Sequence, residues 1–304
     1  MTTVRELARM IKLDGLPRLD EPMAGHTSFR IGGPADLYAL PGTAQDIKGI
    51  LGLCASEAVP CFILGGGTNI LVSDRGIRGV VLDLTRLSNV QVNGTLLTAQ
   101  SGAAMSGVAE YALASGLTGM EFAYRLPGSV GGAVWMNARC YGREASDVLE
   151  FVDYLDQRLE TRRYLMKKTE WAYKHSPFQE MPGVILTAGF RLAPEDPARI
   201  KALMAEHGKD RERKGHFLFP CAGSIFKNNR AFGAPTGALI DSLGLKETRI
   251  GGAQVAPFHG NIIINTGGAT AEDTRRLIEL VEREVRERLG FTLKREVLLV
   301  GDWA

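Results

Sequence analysis

Three consecutive glycines, Gly65-Gly66-Gly67, constrain this chain more than any other stretch. An apolar run, Cys61-Phe62-Ile63-Leu64, enters them and reads as a short buried strand. The turn itself carries no side chain, so its backbone is free to take positive φ and to lie directly against another group. Thr68, Asn69 and Ser73 place short polar groups around the loop, and Asp74 closes it. Successive N–H groups in such a turn form a concave anion site suited to phosphate or pyrophosphate. A plain strand-to-strand turn with no ligand would use the same residues. Neither standard phosphate signature is present: the stretch is not GxGxxG opening a helix, and it is not GxxxxGK[ST]. A second cluster, Pro127-Gly128-Ser129-Val130-Gly131-Gly132-Ala133, has the same character. Two such loops point to a long phosphate-bearing cofactor laid across backbone rather than to one phosphate pocket.

With 304 residues, the chain is long enough for about two domains or three small ones. Residues 1–20 read as a short helix with Leu7, Met10 and Ile11 on its apolar face, then an extended lead-in. A strand follows the Gly32-Gly33-Pro34 turn. Next comes a helix beginning at Thr43, with Thr43 and Asp46 forming a capping box and Ile47, Ile50, Leu51 and Cys54 on one face. The glycine loop and the strand Gly79–Leu84 complete this first unit, 1–86. The rhythm changes near residue 87. Asn93-Gly94 favours a hairpin, Met105, Val108, Ala109 and Ala112 define a helix, and Val184–Leu192 is a late strand. Ala193-Pro194-Glu195-Asp196-Pro197 ends this second unit, 87–193. The remainder, 194–304, holds a charged helix at about 198–214, a buried strand at Asn261–Asn265, and a long helix. That helix is capped by Thr270 and Asp273, carries Leu277, Ile278, Val281, Val285 and Leu289, and stops at Gly290. It reads as a small α+β domain whose final strand segment is able to return to the earlier region.

Hydrophobic residues make up 45% and charged residues 23%, the balance of an ordinary globular protein. A net charge of +2 is too small to indicate a nucleic-acid partner. Cys54, Cys61, Cys140 and Cys221 have no CxxC spacing, which fits reduced thiols in the cytoplasm. No signal peptide and no membrane insertion are expected. The five histidines lack metal-ligand spacing, so no metal is expected, and His207 is placed on the surface. A monomer is expected.

Three residues stand out as chemistry. Ser224 lies in Ala222-Gly223-Ser224-Ile225-Phe226, where a hydroxyl can donate a proton, attack a carbonyl or simply cap a turn; the hydrolase pattern GxSxG is absent. Glu296 opens the final strand between Arg295 and Val297, a place that also suits a surface ion pair. Lys174 sits in Trp171-Ala172-Tyr173-Lys174-His175-Ser176-Pro177-Phe178, where it can hold a carboxylate or phosphate.

These motifs, in order and separation, closely resemble the UDP-N-acetylenolpyruvoylglucosamine reductase family. The resemblance runs through His26–Ala35, Leu64–Asp74, Gly119–Glu121 with Leu126–Ala138, Tyr173–Phe178, Ala222–Asn228, Gly251–Val255 with Asn265–Gly268, and Leu293–Gly301. It implies an FAD-binding region of two subdomains of the vanillyl-alcohol-oxidase type, plus the α+β substrate-binding domain. Gly65, Gly66, Gly67, Thr68, Asn69, Ile70, Leu71 and Ser73 would cradle the FAD pyrophosphate. Gly128, Ser129, Gly131, Gly132 and Ala133 would line the flavin. The implied reaction is NADPH-dependent reduction of UDP-N-acetylglucosamine enolpyruvate to UDP-N-acetylmuramate in peptidoglycan precursor synthesis. Hydride would pass from FAD N5 to the substrate C3 and a proton from Ser224 to C2. Glu296 and Lys174 would hold the carboxylate, with Tyr173, Lys227 and Asn228 also binding substrate. Lys174 stands where the family usually has arginine, which keeps the charge but loses the two-donor fork; Arg125 is a candidate second cation. Arg139 and Phe258 are further departures, where the family more often has glycine and lysine. The short C-terminus resembles the second type, which lacks an extra tyrosine loop. The competing reading is another FAD oxidase or dehydrogenase of the same superfamily acting on an alcohol or sugar.

Overall fold

The computed structural model describes residues 4–304. It resolves into two compact units that are not successive blocks of chain. One comprises the chain up to Leu19 with Leu37–Gly66 and Gly79–Asp210; the other comprises Asp20–Asp36, Gly67–Arg78 and Arg211–Ala304.

In the first unit the expected N-terminal helix is Val4–Met10, and the first three residues of the span 1–20 lie outside the described residues. Leu7 and Ile11 are buried, whereas Met10 is 50% exposed. Met10 is the last helical residue and Ile11 follows it, so the helix itself buries only Leu7. The helix Ala44–Ser56 starts with both halves of its capping box: Asp46 N donates to Thr43 Oγ1 at 3.1 Å and Thr43 N donates to Asp46 Oδ2 at 2.9 Å. Ile47, Ile50 and Cys54 pack with Leu37, Ala39, Val80 and Leu82. Cys61–Leu64 lies parallel to Ile77–Asp83, with Cys61 opposite Val80 and Leu64 opposite Asp83. The pairing therefore delivers the chain to Gly65 from the end of a parallel strand that is half-buried, not buried as its apolar run suggests, except at Leu64.

The same unit contains a five-stranded antiparallel sheet in the order Thr161–Leu165, Leu149–Leu155, Val184–Arg191, Leu96–Gln100, Val90–Asn93. Asn93 pairs directly with Leu96, so the tight turn is Gly94-Thr95 rather than Asn93-Gly94, and Gly94 supplies the left-handed φ of +60°. The helix Met105–Ala114 buries Met105, Val108, Ala109 and Ala112, the four positions its periodicity marks. A short helix, Val130–Trp135, follows the second glycine cluster.

The second unit has a four-stranded sheet in the order Cys221–Ser224, Ile262–Asn265, Ala253–Val255, Arg249–Ile250. The long helix Ala271–Leu289 has the Thr270/Asp273 capping box and a left-handed Gly290 at its end, φ +74°. Ala271, Thr274, Leu277, Ile278, Val281 and Val285 form its buried face. Each large apolar side chain sealed there contributes about 1.5–3 kcal/mol relative to exposure. The final strand, Leu298–Val300, pairs in parallel with Ile70–Val72, the segment just past the triple glycine. Among the described residues no helix is long and apolar enough to cross a membrane.

Leu277→Ala is expected to lower the unfolding free energy by about 2–5 kcal/mol, read as a shift of the urea midpoint. Leu16→Ala, at a side chain 92% exposed, is expected to change it by no more than about 0.5 kcal/mol.

Candidate active site

The two glycine clusters meet inside the first unit. A Cβ on Gly65 would sit 2.5 Å from Ser129 Oγ, and one on Gly66 would sit 2.7 Å from Gly128 Cα and 3.0 Å from Ser129 N. At Gly66 backbone touches backbone, so a glycine is needed there for the loops to approach each other. Behind them, Gly131 N donates to Ser101 O at 2.7 Å, and a Cβ on Gly131 would lie 2.9 Å from Ser101 Cβ. Met105 N donates to Gly128 O at 3.0 Å and Val130 N to Ala103 O at 2.8 Å, which ties the second cluster to the start of the Met105–Ala114 helix. Ser129 is buried and caps the Val130–Trp135 helix by accepting from Gly132 N at 3.4 Å. Ala133 is buried and Gly132 exposed. Ser101 is 1% exposed, and its hydroxyl is without a hydrogen-bond partner among the described residues.

The chain enters the second unit at Gly67. Gly67 has φ +61°, and a Cβ there would lie 2.0 Å from His26 O. Ser28 N donates to Gly67 O at 3.0 Å while Ser28 Oγ donates to Cys221 O at 2.6 Å, so the His26–Ala35 motif links the loop to the strand that ends at Ser224. Asn69 does not point its amide into an empty loop. Its Nδ2 donates to Glu296 O at 3.0 Å, and its own carbonyl accepts from Leu298 N at 3.0 Å. Ile70 and Leu71 are buried in the strand pairing, leaving Thr68, half-buried, as the more accessible side chain here. The Ser73 hydroxyl is engaged by Asp302 O and accepts from Arg75 N at 3.1 Å. Asp74 caps the long helix by accepting from Ala271 N at 2.8 Å and Glu272 N at 2.9 Å.

Ser224 and Glu296 lie far apart in sequence, yet their backbones adjoin. Glu296 N donates to Ile225 O at 2.7 Å and Lys227 N donates to Lys294 O at 2.8 Å. Asn261, only 2% exposed, splints this crossing: its Oδ1 accepts from Phe226 N at 2.9 Å and its Nδ2 donates to Phe226 O at 2.8 Å. Glu296 is buried and Ser224 half-buried. A register shift between Cys221 and Ser224, with Gly223 at φ +70°, bends the strand at the serine. Asn228 is exposed, and its Oδ1 accepts from Thr236 N at 2.8 Å, starting the Thr236–Ser242 helix; Lys227 is half-buried beside it. Phe258 lies against Gly215, where a Cβ would come within 2.9 Å of the ring.

Lys174 occupies a tight turn in the first unit. Ala172 and His175 exchange two backbone bonds of 3.2 and 3.1 Å, and Lys174 between them has φ +56°. Tyr173 is exposed at the tip, with the Arg139 guanidinium 5.7 Å from its ring centroid. Trp171 and Phe178 anchor the turn in a cluster with Tyr154 and Tyr164. Polar side chains then bind the turn to the second glycine cluster's helix. Ser176 Oγ donates to Trp135 O at 2.7 Å, Gln179 Nε2 donates to Trp135 O at 2.9 Å and to Lys174 O at 3.2 Å, and Asn137 Nδ2 donates to Ala172 O at 2.9 Å. Lys168 pins the neighbouring hairpin through Glu144, Ser146 and Asp147 at 3.0, 2.8 and 2.8 Å. Burial pushes the Glu144 and Asp147 carboxyls up, but the Lys168 ammonium and adjacent donors outweigh it and hold both below the ordinary range. Arg125 has φ +56° and its N–H donates to Ser106 Oγ at 2.9 Å.

His207 is not simply a surface residue. Its ring stacks on Tyr141 at 3.8 Å, and Nδ1 lies 3.0 Å from Glu121 O. Asn137, Gln179 and Asn261 carry no signal in the sequence, because a single amide side chain reads as surface until its backbone partners are known.

The family model described as the UDP-N-acetylenolpyruvoylglucosamine reductase C-terminal domain matches residues 214–300, and one described as an FAD binding domain matches residues 35–161. UDP-N-acetylenolpyruvoylglucosamine reductase of Caldanaerobacter subterraneus is 42% identical over 299 residues, 98% of each chain. The protein of the same name from Treponema denticola is 40% identical over 95% of each chain. The crystal structure of UDP-N-acetylenolpyruvylglucosamine reductase from Thermus caldophilus superposes with a TM-score of 0.78 at 28% identity, covering 93% of this chain and 98% of that one.

Gly66→Ala would drive a methyl group into the Gly128 backbone. It is expected to lower the bound-flavin absorbance per protein at least several-fold while the far-ultraviolet circular dichroism is retained. Unchanged flavin content would show that the loops separate without consequence.

Proposed function

The chain belongs to the UDP-N-acetylenolpyruvoylglucosamine reductase family, and from that premise we propose how its residues divide the reaction. The overall reaction is the NADPH- and FAD-dependent reduction of UDP-N-acetylglucosamine enolpyruvate to UDP-N-acetylmuramate. The residues present fit a long cofactor: two glycine-rich loops in backbone contact at Gly66 and Gly128, and the buried Ser101 hydroxyl beside Gly131 with no partner among the described residues. The chemistry supplied by bound FAD is relay of a hydride from NADPH to the vinyl C3 of the substrate. Gly65–Ser73 and Gly128–Ala133 hold that group, through backbone wherever the side chains are already committed to protein contacts.

Ser224 donates the proton to C2. Glu296 and Lys174 hold and polarise the substrate carboxylate as negative charge builds on it. Preorganised charge at that position is the largest catalytic contribution expected. Tyr173, Lys227 and Asn228 bind the remainder of the substrate. The observation that carries this reading is the bond from Glu296 N to Ile225 O, 2.7 Å, which makes the glutamate and the serine backbone neighbours. The lysine at position 174 keeps the charge of the family's usual arginine and gives up its two-donor geometry.

Ser224→Ala and Glu296→Gln are expected to leave reduction of the flavin by NADPH fast and to slow its reoxidation by the enolpyruvyl substrate by at least 100-fold, about 2.7 kcal/mol. Stopped-flow absorbance reads both halves. Equal slowing of the two would remove the assigned roles. Lys174→Arg is expected to retain activity.

The protein works in the cytoplasm as a monomer. Its substrates are soluble, charged nucleotides, and the described helices include none able to span a bilayer. Light scattering is expected to give a mass near 33.0 kDa; a value near twice that would overturn the monomer.

A further inference from the structure

We infer that Gln179 is a positioning residue that sets the placement of Lys174, an inference that rests on the role given to Lys174 above. The side-chain amide of Gln179 spends both its protons on backbone carbonyls. One goes to Trp135 O at 2.9 Å, the other to Lys174 O at 3.2 Å. Trp135 is the last residue of the helix that begins in the second glycine cluster. One planar group therefore spans the flavin-side helix and the turn that presents the lysine.

The turn needs such a brace. Lys174 is a non-glycine residue at φ +56°, a strained conformation that persists only when its surroundings over-determine it. The two backbone bonds between Ala172 and His175 close the turn but do not orient it against its neighbours. Asn137, fully buried, holds Ala172 O at 2.9 Å and accepts from Ser146 N at 3.1 Å. Ser176 reaches Trp135 O at 2.7 Å but makes no bond to Lys174. Gln179 alone among these three donors bonds both the helix end and the lysine's own carbonyl. Lysine makes this matter more than arginine would. A rigid fork selects its own geometry with a carboxylate, whereas a flexible ammonium depends on where the backbone puts it. Misplacement of a catalytic group by about 1 Å can cost 100-fold.

The test uses Gln179→Met, Lys174→Met and the double variant in full-length FAD-loaded protein, with both half-reactions read per bound flavin so that partial cofactor loss does not obscure them. Methionine keeps the length of glutamine and removes both donors. Gln179→Met is expected to leave reduction by NADPH within about 2-fold and to slow reoxidation by the enolpyruvyl substrate about 10- to 100-fold. The double variant is expected to be no slower than Lys174→Met, because Gln179 acts only through the lysine. Slowing of both half-reactions alike, or additive losses in the double variant, would overturn the inference and leave Gln179 a general structural residue. A slow Lys174→Met with a normal Gln179→Met would overturn it while sparing the role of Lys174. A normal Lys174→Met would remove the role of Lys174 itself, and the inference with it.

Discussion

The contact on which the first unit depends is an approach of two backbones that no side chain permits. Gly66 and Gly128 come so close that a methyl group on one would lie 2.7 Å from the Cα of the other. Glycine loses more conformational freedom on folding than any other residue. Here the loss is offset by what lies beneath. Cys61–Leu64 is locked in register with Val80–Asp83, and Gly128 and Val130 are bonded to Met105 and Ala103. Both loops leave rigid elements and meet where neither can move aside.

The second unit uses side-chain amides and carboxylates in place of strand partners. Glu296 belongs to no regular strand, yet its N–H reaches Ile225 O and its carbonyl accepts from Asn69. Asn261 pairs with both backbone groups of Phe226, as a neighbouring strand would. Asp74 takes the first N–H groups of the long helix, where a carboxylate is favoured by the helix dipole as well as by the bonds. Buried irregular backbone is tolerable only when its polar groups are satisfied. These residues satisfy it, so buried Glu296 is held against the backbone of Ile225, the residue after Ser224, without a regular strand to carry it.

The same device recurs in the first unit at Lys174. Its turn is closed by Ala172 and His175, sealed by Trp171 and Phe178, and tied to the Val130–Trp135 helix through Ser176, Gln179 and Asn137. The aromatic and polar density of residues 171–178 marks a special segment in the sequence. What it is bonded to does not follow from that density, because the partner carbonyls lie some forty residues away.

Local physics was legible residue by residue. Capping boxes, the apolar stripe of Ala271–Leu289 and the Gly290 stop all depend on neighbours within a few positions, and each is found where its spacing puts it. The exceptions lie at element ends: Met10 is exposed as the last residue of its helix, and Gly94 rather than Asn93 takes the left-handed turn position. The amino-acid order by itself thus determined the elements, where the glycines cluster, and the kinds of group available for chemistry. Tertiary structure alone decided that residues 20–36 and 67–78 fold with the C-terminal part, that Glu296 adjoins Ser224, and that Asn69 serves a carbonyl 227 residues away. Those choices rest on hydrogen bonds between distant segments, and a lone asparagine or glutamine has no periodicity from which its partner could be read.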